Sequence, residues 1–287
     1  MTDRILVTGA TGFVGSHLLG ALADEHDVIA GTRYAGHEST GVRWVPCDLS
    51  AAEPAEGLPP DVDTVIYLAQ SRRFREFPQG VPDMLAVNVN GVAKLLEWAA
   101  RSGARRFIYA SSGGISARGS TGGPLDFYLQ SKRAAELLVD SYRDRLVTVT
   151  LRLFFVYGSG QPASMLLPRL VGNVIAGRAI QLQGAGGLVC NPVHVSDAVR
   201  AFVAATSLDE GQRLLIGGPE VADLRHIGTI IGELVGRDPV FEVDEGAEPE
   251  RLVADTGPME SALGRPTVHL RAGLEELCAS LAARPDR

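Results

Sequence analysis

The chain has 287 residues, of which 45% are hydrophobic and 21% charged, and its formal net charge is -7. This length and apolar content predict one large globular domain or two closely joined ones. The negative charge argues against a generic binder of nucleic acid or anionic membranes, which would show a basic stripe.

The cysteines and the hydropathy of the chain indicate its cellular compartment. Cys47, Cys190 and Cys278 fit neither a disulfide framework nor the ligand spacing of a metal site, so we expect reduced thiols and no metal. No apolar run reaches the roughly 18 residues that span a bilayer. We therefore expect a cytoplasmic protein without a membrane partner.

Short runs rich in β-branched residues alternate with helical patterns through the first half of the chain. This alternation predicts an α/β fold with a doubly wound parallel (Rossmann) sheet and helices on both faces. The predicted strands are Arg4–Thr8, Val28–Thr32, Val42–Val45, Thr64–Leu68, Phe107–Ala110 and Val147–Leu151.

Helices are predicted just after the first strand, over 82–102 and over 128–145. In the second of these, apolar residues at steps of four and three residues form one helix face. They are Leu85, Val89, Val92, Leu96 and Ala99.

After about residue 155, turn-rich segments separate short elements. This change predicts a dinucleotide-binding domain over 1–155. The segment 156–287 is then mainly a smaller substrate-binding α/β region that partly completes the core of the first domain.

A glycine turn follows the first strand directly and opens the first helix. Gly9 permits the tight turn, Gly12 lets the backbone approach a pyrophosphate, and Gly15 allows close helix–strand packing. The unpaired N–H groups of Thr11, Phe13 and Val14 would face the phosphates at the helix amino end. This strand–turn–helix context predicts a dinucleotide site.

The ends of the second and third strands are expected to read the adenosine part of the dinucleotide. Thr32 and Arg33 stand where an acidic residue would favour NAD, and an arginine can pair with a 2′-phosphate. NADP is therefore favoured and NAD remains possible. Asp48, followed by Leu49, is placed either to accept a bond from the adenine amino group or to stabilise a turn.

Tyr128 and Lys132 are four residues apart and therefore share one helix face. A cation near the phenol is expected to lower the tyrosine pKa, so that Tyr128 can exchange a proton with a substrate oxygen as hydride moves. Lys132 can also hold the nicotinamide ribose. Upstream, Ser111 and Ser112 end a strand, after Ala110, at the edge where doubly wound sheets bind ligands. We prefer Ser112 as the substrate-orienting hydroxyl and expect Ser111 to face the cofactor or the turn.

The ordered motifs resemble the extended short-chain dehydrogenase/reductase family, which includes nucleotide-sugar epimerases, dehydratases and ketoreductases. The resemblance covers nearly the whole chain and implies catalytic Ser112, Tyr128 and Lys132. It also implies homodimerisation through the helices near 82–102 and 128–145. The motifs are Gly9-x-x-Gly12-x-x-Gly15, Asp48-Leu49, Asn88-x-x-Gly91, Ser111-Ser112, Tyr128-x-x-x-Lys132, Leu151–Gly158, Asn191–Asp197 and Leu263-Gly264.

Further cofactor contacts are implied by the same resemblance. Phe154 would lie near the nicotinamide, and Leu68, Ala69, Gln70 and Asn88 would contact or support the cofactor site.

The chain departs from the family's pattern where substrates bind. Gly113-Gly114 follow the catalytic hydroxyl in place of the Asp-Glu pair of sugar 4,6-dehydratases, which argues against that reaction. Phe155 stands where an asparagine often contacts substrate, and Cys190 where an arginine often grips the diphosphate. Five glycines between 113 and 123 predict either a mobile flap or an open pocket mouth.

Three arginines just beyond the fourth strand, Arg72, Arg73 and Arg75, either hold a phosphate or carboxylate of the substrate or form a solvated charged loop. The leading functional hypothesis is a 4-ketoreductase-like oxidoreductase that transfers hydride at a carbonyl or alcohol carbon of a sugar or nucleotide sugar. One alternative is a nucleotide-sugar epimerase that keeps NAD bound. Another is a non-catalytic NADP-binding redox sensor, although such relatives usually lack the tyrosine–lysine pair.

Overall fold

The computed structural model of the chain describes residues 2–34, 36–116 and 123–283. It forms two compact units. The first comprises Met1–Arg152 and Val199–Leu214, and the second comprises Leu153–Ala198 and Leu215–Arg287. No helix in the described ranges is long and apolar enough to cross a membrane.

The central strands are buried apolar runs, as a sheet covered on both faces requires. Each predicted strand of the first half is present, with ends that differ from the prediction by at most two residues. In chain order the strands are β1 (Arg4–Thr8), β2 (Asp27–Thr32), β3 (Val42–Pro46), β4 (Thr64–Tyr67), β5 (Arg106–Ser112), β6 (Val147–Leu153), β7 (Ile180–Gln183), β8 (Val189–Cys190), β9 (Gln212–Ile216), β10 (Ala222–Asp223), β11 (Phe241–Asp244) and β12 (Arg251–Leu252).

The helices follow the alternation that the sequence predicts in the first half and continue into the second. A π-helical turn, Leu85–Asn90, joins the second and third, and a 3-10 turn, Gly113–Ser116, follows β5. The helices are α1 (Phe13–Ala23), α2 (Val81–Met84), α3 (Gly91–Ser102), α4 (Pro124–Asp140), α5 (Leu166–Ala176), α6 (Val195–Ala205), α7 (Leu224–Val235), α8 (Gly257–Leu263) and α9 (Leu270–Ala282).

The main sheet has seven strands in the order β3-β2-β1-β4-β5-β6-β9. The pairings among β3, β2, β1, β4 and β5 are parallel. The strand order reverses between β1 and β4, and ligands of doubly wound sheets bind outside the carboxyl ends of the strands at such a point. The predicted parallel, doubly wound fold is confirmed.

The predicted apolar face of the 82–102 segment is wrong at its start. Leu85 is 42% exposed, whereas Met84 before it is fully buried. The π-helical turn holds one extra residue, so the face that points to the core shifts by one position across it. Beyond the turn, Val92, Leu96 and Ala99 are buried as expected.

The predicted boundaries of the 128–145 helix are also corrected, because α4 begins at Pro124 and ends at Asp140. Proline at the first helical position is a favoured start, since its fixed φ suits the helix and its missing N–H needs no partner. Residues 141–145 form turns instead of a last helical turn.

The second unit has its own apolar core, which joins α5, α7 and α9 with short strands. Here β8 pairs antiparallel with β10 and parallel with β12, while β7 pairs parallel with β11. Asp197, at the start of α6, accepts bonds from the backbone N–H groups of Thr267 and Val268, and so fastens the segment before α9.

Candidate active site

The glycine turn between β1 and α1 is shaped by close backbone contacts. Gly9 has φ +70, and a Cβ there would lie 2.7 Å from the Ala69 nitrogen and 2.8 Å from its Cα, just after β4. A Cβ on Gly15 would collide with the carbonyl oxygen of Gly9. The chain therefore needs glycine at both positions to bring the helix end and β4 together.

The amino end of α1 offers unpaired donors. The first helical hydrogen bond runs from Ser16 N–H to Gly12 O at 2.9 Å, so the N–H groups of Phe13, Val14 and Gly15 have no partner within the helix. The first turn carries no carboxylate. With Thr11 and Gly12 exposed, this end of the helix fits a pyrophosphate by backbone hydrogen bonding and by the helix dipole.

The side chains that follow β2 and β3 differ in their hydrogen bonds and in their exposure to solvent. The Thr32 hydroxyl lies 3.3 Å from the backbone N of Tyr34 and so stabilises the turn, whereas Arg33 is exposed, 5.7 Å from the Tyr34 ring centroid. The Asp48 carboxylate accepts from the N–H and hydroxyl of Ser50, which favours its turn role. Those bonds lower the Asp48 pKa, and Arg33 adds to the shift.

Beyond β4, the side chain of Gln70 contacts the candidate catalytic residue. Leu68 and Ala69 are half-buried, whereas Gln70 is exposed and its Oε1 accepts a 3.0 Å bond from the Tyr128 hydroxyl. Gln70, which was expected to contact or support the cofactor site, thus lies beside the candidate acid or base.

Asn88 sits in the π-helical turn, fully buried, and links two functional segments. Its Oδ1 accepts from the Ser71 N–H at 2.8 Å, and its Nδ2 donates to the Ser131 hydroxyl at 2.9 Å. The Ser131 hydroxyl in turn donates to the Tyr128 carbonyl at 2.7 Å. Asn88 thus supports the site by joining the loop after β4 to α4.

Ser111 and Ser112 at the end of β5 have different surroundings. The Ser111 hydroxyl, which was expected to face the cofactor or the turn, is buried and donates to Glu136 at 2.6 Å. Ser112 is half-buried, and its Oγ lies 3.3 Å from the Gly114 nitrogen. This geometry favours Ser112 as the substrate-orienting hydroxyl.

Tyr128 and Lys132 lie one helical turn apart on α4, where Tyr128 is half-buried and Lys132 is buried. Lys132 is 2% exposed, and its Nζ donates to the Ala110 carbonyl at 2.9 Å. Burial lowers the Lys132 pKa to about 7, although the charge of Glu136 opposes this shift. Burial raises the Tyr128 pKa, so the expected lowering of that pKa is wrong.

The three arginines after β4 are all exposed but do not act as one cluster. Arg73 pairs with Glu76 at 2.7 Å, and the Arg75 guanidinium lies 5.2 Å from the Phe74 ring centroid. Arg72 has no ion pair among the residues that the structure describes. The Phe74 ring itself lies 5.2 Å from the Tyr128 ring, which brings this loop beside the phenol.

The profile of the NAD dependent epimerase/dehydratase family matches residues 5–217, most of the chain. The chain belongs to this family. The resemblance inferred from the motifs is confirmed, and the protein is an NAD(P)-dependent enzyme of the extended short-chain dehydrogenase type.

Similar proteins cover the chain almost end to end. The structure of MoeE5 in complex with UDP-glucuronic acid and NAD is 28% identical, with a TM-score of 0.84, over 98% of this chain and 99% of that chain. The UDP-glucose 4-epimerase of Mycolicibacterium smegmatis is 28% identical over 94% of this chain and 96% of its own length. A dTDP-4-dehydro-6-deoxy-D-allose reductase from a Streptomyces species is 26% identical over 95% and 94%, respectively.

Three residues that were expected to contact a ligand, Phe154, Phe155 and Cys190, belong to the second unit. Phe154 is 2% exposed, and Phe155 is half-buried with φ 45, a left-handed conformation that is strained for a bulky side chain. Cys190 is fully buried, and burial raises the pKa of its thiol to about 12. The expectation that Cys190 contacts substrate is therefore corrected, because its side chain has no surface to offer.

Some features of the site escaped sequence reasoning. The buried Glu136 and the half-buried Arg152 form an ion pair next to Ser111, and the Phe74 ring lies against Tyr128. Arg152 stands within the Leu151–Gly158 motif, which is the one signal that pointed to it. The predicted flap falls largely on 117–122, outside the described residues.

Proposed function

We propose that this enzyme transfers hydride at a carbinol or carbonyl carbon of a nucleotide-linked sugar, with Tyr128 as the acid or base. The observation that carries the proposal is the shared position of Tyr128 and Lys132 on α4, beside the Ser112 end of β5 and in the same unit as the glycine turn. This set combines a proton carrier, a cation and an orienting hydroxyl with a dinucleotide cradle.

Each residue has a defined role in the proposal. Ser112 donates a hydrogen bond to the reacting oxygen and orients it. In its phenolate form Tyr128 takes the proton of a substrate hydroxyl during oxidation, and in its phenol form it gives a proton to a carbonyl during reduction. Lys132 binds the nicotinamide ribose, while the α1 amino end and Gly12 bind the pyrophosphate. Bound NAD(P) supplies the hydride acceptor or donor.

A nucleotide sugar is the proposed substrate class because the similar MoeE5 binds UDP-glucuronic acid and the two other similar proteins are named as a UDP-glucose 4-epimerase and a dTDP-4-dehydro-6-deoxy-D-allose reductase. The exposed Arg72 supports an anionic ligand beside the loop after β4. Gly113 and Gly114 supply no carboxylic acid to protonate a leaving hydroxyl, so dehydration is disfavoured.

Two reactions remain candidates, each with its own support. Arg33, exposed at the end of β2 where no carboxylate stands, favours NADPH and hence a reductase that exchanges its cofactor each turnover. The NAD bound in the similar solved structures favours NAD and an epimerase that oxidises and then reduces one carbon. Titration with NADPH and NADH, followed by cofactor fluorescence, separates them. Preference for NADPH and an empty purified site support the reductase, whereas tightly retained NAD supports the epimerase.

The catalytic assignment is tested with Tyr128→Phe and the matched control Tyr142→Phe, whose ring packs against the core of the first unit. With UDP- and dTDP-linked hexoses and 4-keto sugars as substrates, Tyr128→Phe should lose turnover by at least about a thousandfold and still bind cofactor. Tyr142→Phe should keep turnover. Equal turnover in Tyr128→Phe and the parent enzyme would refute the assignment.

A cytoplasmic homodimer is the proposed working form. The three cysteines are free and buried, which suits a reducing compartment. Leu85 before α3 and Leu137 on α4 are 42% and 66% exposed, respectively, which supports association through these helices. Sedimentation of the parent protein and of Leu137→Lys tests this, with a dimer expected for the first and a monomer for the second.

A further inference from the structure

Glu136 is a buried carboxylate that the proposed reaction does not use. It is 2% exposed and lies on α4 one helical turn beyond Lys132. A carboxylate is almost never buried unless charged or hydrogen-bonding partners compensate for the lost water. Its partners therefore indicate what holds the charge in place.

Side chains from three strands surround the Glu136 carboxylate. Arg152 on β6 binds both oxygens, with Nε 2.8 Å from Oε1 and an Nη atom 2.6 Å from Oε2. The Ser111 hydroxyl on β5 donates to Oε1 at 2.6 Å, and Arg213 on β9 lies 3.6 Å from Oε2. Arg213 also pairs with Asp140 on α4. The bidentate pair and the hydroxyl fix the position of the charge.

This arrangement keeps Glu136 ionised. Its pKa is lowered, because the bonds from Arg152 and Ser111 and the charges of Arg152 and Arg213 outweigh the opposing effect of burial. The carboxylate is thus a permanent negative charge inside the unit at neutral pH.

Lys132 is the neighbour that needs such a charge. Its Nζ lies 5.0 Å from the Tyr109 ring centroid on β5 and donates to the Ala110 carbonyl. The phenols of Tyr109 and Tyr128 have raised pKa values and carry no charge at neutral pH. Glu136 is therefore the neighbouring group whose charge favours the ammonium form against burial.

We propose that Glu136, clamped by Arg152 and Ser111, is a positioning residue whose charge favours the ammonium form of Lys132. The inference rests on the proposed contact of Lys132 with the cofactor and adds the group that sets the charge of Lys132. A neutral Lys132 would lose the charge that strengthens its hydrogen bonds to the ribose hydroxyls and that attracts a developing phenolate.

The test is the pH dependence of NADH affinity, measured by fluorescence in wild type and variants. Binding should weaken on the alkaline side with a midpoint set by Lys132, and Lys132→Met should lose this transition. Glu136→Gln, which keeps the shape and removes the charge, should lower the midpoint by about one pH unit. Above the midpoint its affinity should fall about tenfold below that of wild type.

Two matched variants separate charge from shape and from location. Glu136→Asp keeps the charge on a shorter stem and should keep the midpoint within a few tenths of a unit. Asp140→Asn removes a carboxylate from the next turn of α4 and should leave the midpoint in place. An unchanged midpoint in Glu136→Gln, or an equal shift in Asp140→Asn, overturns the inference.

Folding is checked by thermal unfolding of each variant. If Glu136→Gln does not fold, the double variant with Arg152→Gln removes the unpaired cation as well. The midpoint of its pH-dependent NADH binding is then judged by the same criterion. The binding measurement uses no sugar. A wrong substrate class for the enzyme would therefore leave the result and its meaning intact.

Discussion

Gly9→Ala should damage both stability and cofactor binding, because the turn between β1 and α1 has no room for a side chain. Two physical effects add. Gly9 has φ +70, a left-handed conformation that costs an L-residue about 1–2 kcal/mol. The new Cβ would also lie 2.7 Å from the Ala69 nitrogen, and overpacking of this kind costs about 1–3 kcal/mol.

The expected loss is the sum of these effects less a small gain. Replacing glycine stiffens the unfolded chain, which offsets about 0.4–1 kcal/mol. The free energy of unfolding should therefore fall by about 1–4.6 kcal/mol. Displacement of the α1 amino end or of the segment after β4 should weaken NADH binding at least about tenfold, because backbone N–H groups must meet the pyrophosphate.

Gly20→Ala is the matched control in the same helix. A Cβ at Gly20 meets nothing within 4 Å, and the residue is exposed in the interior of α1. Alanine there should raise the free energy of unfolding by about 0.5–1 kcal/mol and leave NADH affinity unchanged. Urea unfolding and fluorescence titration measure both quantities. Wild-type stability and affinity in Gly9→Ala would refute the steric reasoning.

Three further predictions follow from burial and backbone geometry. Burial lowers the Lys132 pKa to about 7 in the folded state, so the unfolded chain binds the extra proton above that pH. The free energy of unfolding should then rise between pH 7 and 9, by up to about 1.4 kcal/mol per unit, and a flat profile in wild type or an equal rise in Lys132→Met would contradict this. Phe155→Gly should be more stable to urea than Phe155→Ala by about 1 kcal/mol, since only glycine relieves the positive φ; equal stabilities would remove the strain argument. Because Cys47, Cys190 and Cys278 are buried with raised thiol pKa values, they should react with a disulfide reagent at pH 8 only in urea, and rapid native labelling would count against the packing.

The fold was predictable because the central strands are continuous apolar runs with turn residues at their ends. Arg4–Thr8, for example, has the same bounds in prediction and structure. The π-helical turn was not predictable, because an apolar periodicity of three and four residues does not reveal one inserted residue. That insertion buries Met84 and Asn88 and exposes Leu85.

The candidate site was predictable only where it depends on local spacing. Tyr128 and Lys132 share a helix face because they are four residues apart, and no tertiary knowledge is needed for that. Their pKa values depend on burial, which spacing does not report, and so the expected direction for Tyr128 was wrong. The partners of Glu136 come from β5, β6 and β9, strands distant in sequence.

The return of 199–214 to the first unit has a consequence for synthesis on the ribosome. The sheet has β9 at one edge, next to β6, yet β9 is made more than fifty residues after β6 ends. Until residue 216 leaves the exit tunnel, the nascent chain presents the β6 edge with unpaired backbone groups, which invites pairing with other chains. We therefore expect a ribosome-bound chain from which residue 155 has left the exit tunnel to recruit chaperones, and a longer chain from which residue 216 has also left the tunnel to release them.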